Sequence, residues 1–205
     1  MVGEIEAMNL NESSRPVSAL AFAVALCVLS NEYQVFAQKK LGIFGDKDVK
    51  YRTFKDASGR FELEYPAKDW NPFPVGGSAI AILSRNDRTA TLVIDLSRLT
   101  EPLAPAEVAT NAQIELESLK EQQPKAKEFT SEILDSKAGH GSLIRYARLG
   151  ATGPERVMRY SVAVGLDLYR LDVVVPEASL AKYEAILLHM IVSFKVPADP
   201  ATTNS

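Results

Sequence analysis

A chain of 205 residues with 46% hydrophobic and 24% charged side chains carries enough apolar material for one sizeable core. Its formal charge is -3, but Glu4, Glu6, Glu12, Glu32 and Arg15 all precede Gln38, and the remainder holds 22 basic and 22 acidic residues. So balanced a domain has no global attraction to DNA, RNA or an anionic membrane, and a single cysteine, Cys27, rules out an internal disulfide or a thiolate metal cluster.

Taken in order, the chain starts with an apolar run, Val17 to Leu29, of 13 residues. That is short of the roughly 20 needed to cross a bilayer and within the length of a signal-peptide apolar region. Arg15 precedes it, and Val35-Phe36-Ala37 offers small or aliphatic residues for a cut before Gln38. Residues 1–37 are therefore read as an export leader, with an uncleaved anchor at 17–29 as the alternative and Met8 as an alternative start. An exported, periplasmic or otherwise extracytoplasmic protein is expected. Residues 38–50, charged and with two glycines, read as a linker or a loosely docked arm.

From Tyr51 the pattern becomes that of strands. Tyr51 to Lys55 forms one, Ala57-Ser58-Gly59 turns the chain, and Phe61, Leu63 and Tyr65 alternate with Arg60, Glu62 and Glu64 as expected for a half-buried strand ending at Pro66. Asp69 to Gly77 is read as a loop on composition, carrying Trp70 and Phe73. Ser78 to Ser84 and Thr89 to Leu96 make a second hairpin. Val108, Ala112, Leu116 and Leu119 then recur at helical spacing between Ala106 and Gln123, with Asn111 and Glu115 on the opposite, wet side. Four strands follow: Glu128 to Asp135, Ser142 to Leu149, Arg156 to Val164 and Leu166 to Val175. A last helix, Glu177 to about Val192, shows a broad apolar stripe through Leu180, Tyr183, Leu187, Met190 and Ile191. Residues 197–205 read as a disordered tail. The expectation is a single α+β domain over residues 51–196, an antiparallel sheet of about six to eight strands flanked by helices.

No phosphate-binding glycine loop, dinucleotide fingerprint, HExxH or G-x-S-x-G occurs in the sequence. His140 and His189 have no ligand-spaced partners, and Ser179 with Lys182 matches an S-x-x-K pair without its companion motifs. No catalytic residue, metal or cofactor is assigned, and an enzyme is not expected. Two features remain as partner-binding candidates. Trp70 and Phe73, between prolines, offer an aromatic platform, although a cap on the core is the plainer reading of Trp70. If Tyr146, Tyr160 and Tyr169 face the core, then Arg145, Arg159 and Arg170 share the opposite face and can receive a carboxylate or phosphate. Asp172 lies on that face too, and Glu62 and Glu64 can lie near it, so a salt-bridged surface is the plainer reading.

Gly59-Arg60-Phe61 leading to Tyr65-Pro66 and Trp70, the long middle helix, Leu168-Tyr169-Arg170-Leu171 and the closing Tyr183, Ile186, Met190, Ser193-Phe194 come in an order that resembles the PsbP-like and DcrB-like proteins. The resemblance spans nearly all of residues 42–196 and implies an antiparallel sheet flanked by helices. It also implies a non-enzymatic accessory role, since relatives include extrinsic subunits and assembly factors of photosystem II, bacterial envelope lipoproteins and binders of a nuclear-transport GTPase. No functional residue is carried over from them. The function expected is an exported binding protein assisting the assembly or stability of an envelope or membrane complex through a protein partner. The alternative is a small-ligand carrier, which requires a cleft of about 300 Å³ or more between sheet and helix.

Overall fold

The structure, a computed structural model, describes residues 49–197. The leader, nearly all of the linker and the tail after Pro197 lie outside the described residues, as does Cys27. Among the described residues, alternating apolar residues and short polar turns produce nine strands: β1 (Tyr51–Lys55), β2 (Glu62–Pro66), β3 (Trp70–Phe73), β4 (Ala79–Arg85), β5 (Thr91–Arg98), β6 (Lys127–Ser136), β7 (Gly139–Gly150), β8 (Gly153–Val164) and β9 (Asp167–Pro176). Helix α1 (Val108–Gln122) sits between β5 and β6, and α2 (Leu180–Ser193) follows β9. A seven-stranded antiparallel sheet runs β3-β4-β5-β9-β8-β7-β6, and β1 pairs with β2 as a separate hairpin. This is the α+β architecture expected from the sequence.

One strand departs from that expectation. Trp70–Phe73, read as loop, is the edge strand β3 and pairs with β4 from Trp70 opposite Arg85 to Phe73 opposite Ile82. Pro72 lacks an N–H, so this segment is tolerated only at an edge, where that position need not donate to a neighbour. Asp69, at φ 63°, turns the chain into it.

Strand register sorts the sheet residues onto two faces. Leu83, Leu92, Leu171, Tyr160 and Leu143 share one face and are buried beneath the β1-β2 hairpin and α2, which contribute Phe61, Leu63, Tyr183, Leu187 and Met190 to the same core. The other face is covered by α1, whose Leu116 and Leu119 pack on Ile144, Tyr146 and Val157. Both faces therefore bury apolar side chains, the larger core lying on the α2 side.

The turn of the hairpin is fixed by a carboxylate. Asp56 accepts the backbone N–H groups of Ser58 and Arg60 at 3.1 and 3.2 Å and both arms of the Arg60 guanidinium at 2.8 Å, while Gly59 takes the left-handed φ of 73° that the turn requires. The Arg60 hydrogen bonds, against the opposing effect of burial, hold the Asp56 carboxyl below its ordinary range. Because the folded-state pKa is the lower one, this contribution is complete above about pH 4 and disappears as pH falls through the folded value. Asp56→Ala is expected to cost on the order of 1–3 kcal/mol at neutral pH. Thermal unfolding across pH should also show the variant losing less stability than the parent below pH ~4.

Candidate functional site

Alternation along β7, β8 and β9 places three rows of side chains on the α1 face. Ser142, Ser161 and Arg170 stand opposite one another across the three strands, followed by Ile144, Arg159 and Asp172, then Tyr146, Val157 and Val174. Two of the predicted arginines, Arg159 and Arg170, are thus brought together. Arg145 is not: it stands opposite Met158 on the α2 face and bonds Glu132 at the sheet edge. The parity inference failed at Tyr146, which is buried on the α1 face while Tyr160 and Tyr169 are buried on the other. A sheet covered on both sides buries tyrosines of either parity, so tyrosine burial does not choose a face. Glu62 and Glu64 are elsewhere, Glu62 3.5 Å from Lys55 and Glu64 at 2.9 and 2.8 Å from Lys137 and His189.

The two arginines differ in what they can still do. Arg159 grips Asp172 bidentately at 2.7 and 2.6 Å. Burial works to lower its pKa, but the paired Asp172 more than offsets this and the guanidinium is held as a cation. Arg170 approaches Glu115 of α1 through Nε at 3.6 Å, and 38% of its side chain is exposed. Its two terminal amino groups make no hydrogen bond to the described residues. Glu115 also accepts the Ser161 hydroxyl at 3.1 Å and lies 3.9 Å from Arg159.

Between α1 and this part of the sheet runs an open cleft of about 440 Å³. Its apolar wall comes from Leu99, Leu103, Val108, Ala163 and Leu168, and its polar lining includes Asn111, Glu115, Ser142, Ser161 and Arg170. His140 reaches the rim and is held by Asp135. Sequence reading missed Glu115, assigning it to the wet side of the helix. Its position three residues after Ala112 and four before Leu119 places it on the flank of the apolar stripe, where a long acid can reach the sheet.

Trp70 is fully buried, its carbonyl bound by Arg52 at 2.6 Å, so it caps the core rather than forming a platform. Phe73 is 37% exposed and Val75 50%, beside half-buried Ile82 in the register. His189 stacks on Tyr51 at 3.9 Å. Ser179 starts α2 without making a side-chain cap bond, and Lys182 lies over Tyr183. Among the described residues no group of His, Cys, Asp and Glu could hold a metal ion, and no helix is long and apolar enough to cross a membrane.

A seven-stranded antiparallel sheet with a hairpin and helix on one face and a second helix on the other defines an α+β domain. No family model and no curated protein sequence matches the chain. Solved structures do. The cyanobacterial PsbP (CyanoP) from Synechocystis sp. PCC 6803 superposes with a TM-score of 0.56 at 14% identity, over 75% of this chain and 96% of its own. LpqN of Mycobacterium tuberculosis, described as involved in cell envelope biogenesis, gives 0.53 at 14% identity over 73% and 92%. A Bacteroides thetaiotaomicron protein gives 0.50 at 13% identity over 72% of this chain and 49% of its own. The chain has the PsbP-like fold.

The Arg159-Asp172 pair and Arg170 are expected to respond differently to substitution. Arg159→Met strands a half-buried carboxylate and should cost on the order of 3 kcal/mol in urea unfolding. Arg170→Gln removes an exposed charge and should change stability by no more than ~0.5 kcal/mol.

Proposed function

We propose that the protein is an extracytoplasmic accessory protein of the cell envelope that binds a partner protein in the cleft beside α1 and performs no chemistry of its own. The observation that carries this reading is the cleft itself: an open groove with an apolar wall and a guanidinium end with no hydrogen bond to the described residues. The fold shared with a protein of cell envelope biogenesis and with PsbP supports the setting. The apolar run at residues 17–29 is consistent with export. A small-ligand carrier is the second reading, favoured by a volume of about 440 Å³.

Site-directed photo-crosslinking separates the cleft from the rest of the surface. A photoreactive amino acid is placed at Asn111, which lines the cleft, or at Leu149, which is 76% exposed at the far end of β7. His140 and Leu149 are separated by about 30 Å along the strand. Irradiation with envelope membranes should give a discrete protein adduct from position 111 and none from 149. Equal labelling from both positions, or adducts from neither, overturns the proposal.

A further inference from the structure

We infer that the α1 cleft receives the carboxyl-terminal end of a partner polypeptide, the terminal carboxylate on the free end of Arg170 and an apolar terminal side chain against Leu103 and Leu168. This rests on the cleft being the binding site and names what it recognises. Three observations carry it.

The first is charge. Arg159 is neutralised by its bidentate pairing with Asp172, whereas Arg170 meets Glu115 only along its Nε edge at 3.6 Å. Arg170 lines the cleft with its terminal amino groups unbonded to the described residues, and a planar guanidinium end can present two parallel N–H groups to a carboxylate. The second is the mixture of neighbours. Glu115 and the Asn111 side-chain carbonyl can accept a peptide N–H, while Asn111 and Ser142 can donate to a peptide carbonyl. A hydrocarbon chain uses none of these groups, and leaving them buried against it is costly. The third is shape. The groove between α1 and the sheet is only partly enclosed, so a chain can leave it toward the body of a partner, and about 440 Å³ accommodates only its last few residues.

The proposal fits general rules of peptide capture, in which a terminal carboxylate supplies a charge that no internal segment has. It excludes an internal loop as the occupant. It also predicts that amidation of the terminus weakens binding as much as loss of Arg170 does, because each removes one half of the same ion pair.

The test uses the full chain and a pool of fluorescein-labelled pentapeptides ending in leucine, valine or phenylalanine, made as free acids and as amides. Fluorescence anisotropy should show the acid pool binding about tenfold or more tighter than the amide pool, with Arg170→Gln lowering acid binding by about the same factor. Arg156→Gln, which alters a guanidinium held by Glu128 and Glu177 on another part of the sheet, should leave binding unchanged. Unaltered thermal unfolding of Arg170→Gln shows that the loss is local. Equal binding of acid and amide pools, or binding by neither, overturns the inference. So does decanoate binding that depends on Arg170 and displaces the peptides, which assigns the cleft to a lipid carboxylate. If position 111 crosslinks a protein while the acid and amide pools behave alike, the accessory reading stands and the terminal-carboxylate inference alone falls.

Discussion

The fold depends on an aromatic contact that joins the hairpin, the sheet and α2 at one point. Phe61 of the hairpin, Tyr169 of the sheet and Phe194 at the end of α2 are buried with ring centroids 5.3 to 6.3 Å apart. Each ring comes from a different element, so the contact closes two long loops of chain at once. The backbone reinforces it, because Glu62 and Lys195 exchange N–H and carbonyl bonds at 2.8 Å and Tyr169 Oη donates to the Arg60 carbonyl at 3.4 Å. Ser193, buried beside Phe194, donates to the Met190 carbonyl at 2.9 Å and accepts the Glu64 N–H at the same distance. Edge-tilted aromatic groupings of this kind add specificity to burial that aliphatic residues supply less well.

The residues that made the sequence recognisable are those that meet at this point. Gly59-Arg60-Phe61, the tyrosine of Leu168-Tyr169-Arg170-Leu171 and the closing Ser193-Phe194 are far apart in the chain and adjacent in space. Their spacing is legible because packing constrains it. Strand and helix assignments were legible for the same reason, since a buried face imposes a period on the sequence. β3 was not, because four residues with two prolines close by give no period, and only the partner strand makes an edge segment of them.

The candidate site was legible in part. Arg159 and Arg170 were found because both sit on strands with clear alternation, and two residues on paired strands can be assigned to a common face if the register is known. Arg145 was grouped with them on the assumption that one face of the sheet is wet. Burial of Tyr146 with Leu116 and Leu119 of α1 shows that the assumption fails when a helix covers the second face. Glu115 was hidden for a different reason. A helical wheel reports which side is apolar, but not whether an acid at its margin meets water or an arginine strand.

The two helices are not equally held, and this bears on where binding can occur. α2 buries Tyr183, Leu187, Met190 and Ile191 in the main core, whereas α1 buries Ala112, Leu116 and Leu119 over a smaller one. At roughly 1.5–3 kcal/mol for each large apolar side chain, α1 has about half the apolar anchorage of α2. Its remaining attachment is polar: Glu115 on Ser161, with Arg159 and Arg170 nearby. Such contacts orient a helix without adding much net stability, because solvent competes for each of them. A binding groove beside α1 therefore adjoins the more easily displaced of the two helices, where an incoming chain can exchange polar partners without disturbing the aromatic junction at Phe61. A groove beside α2 would have to open the core that joins the hairpin to the sheet.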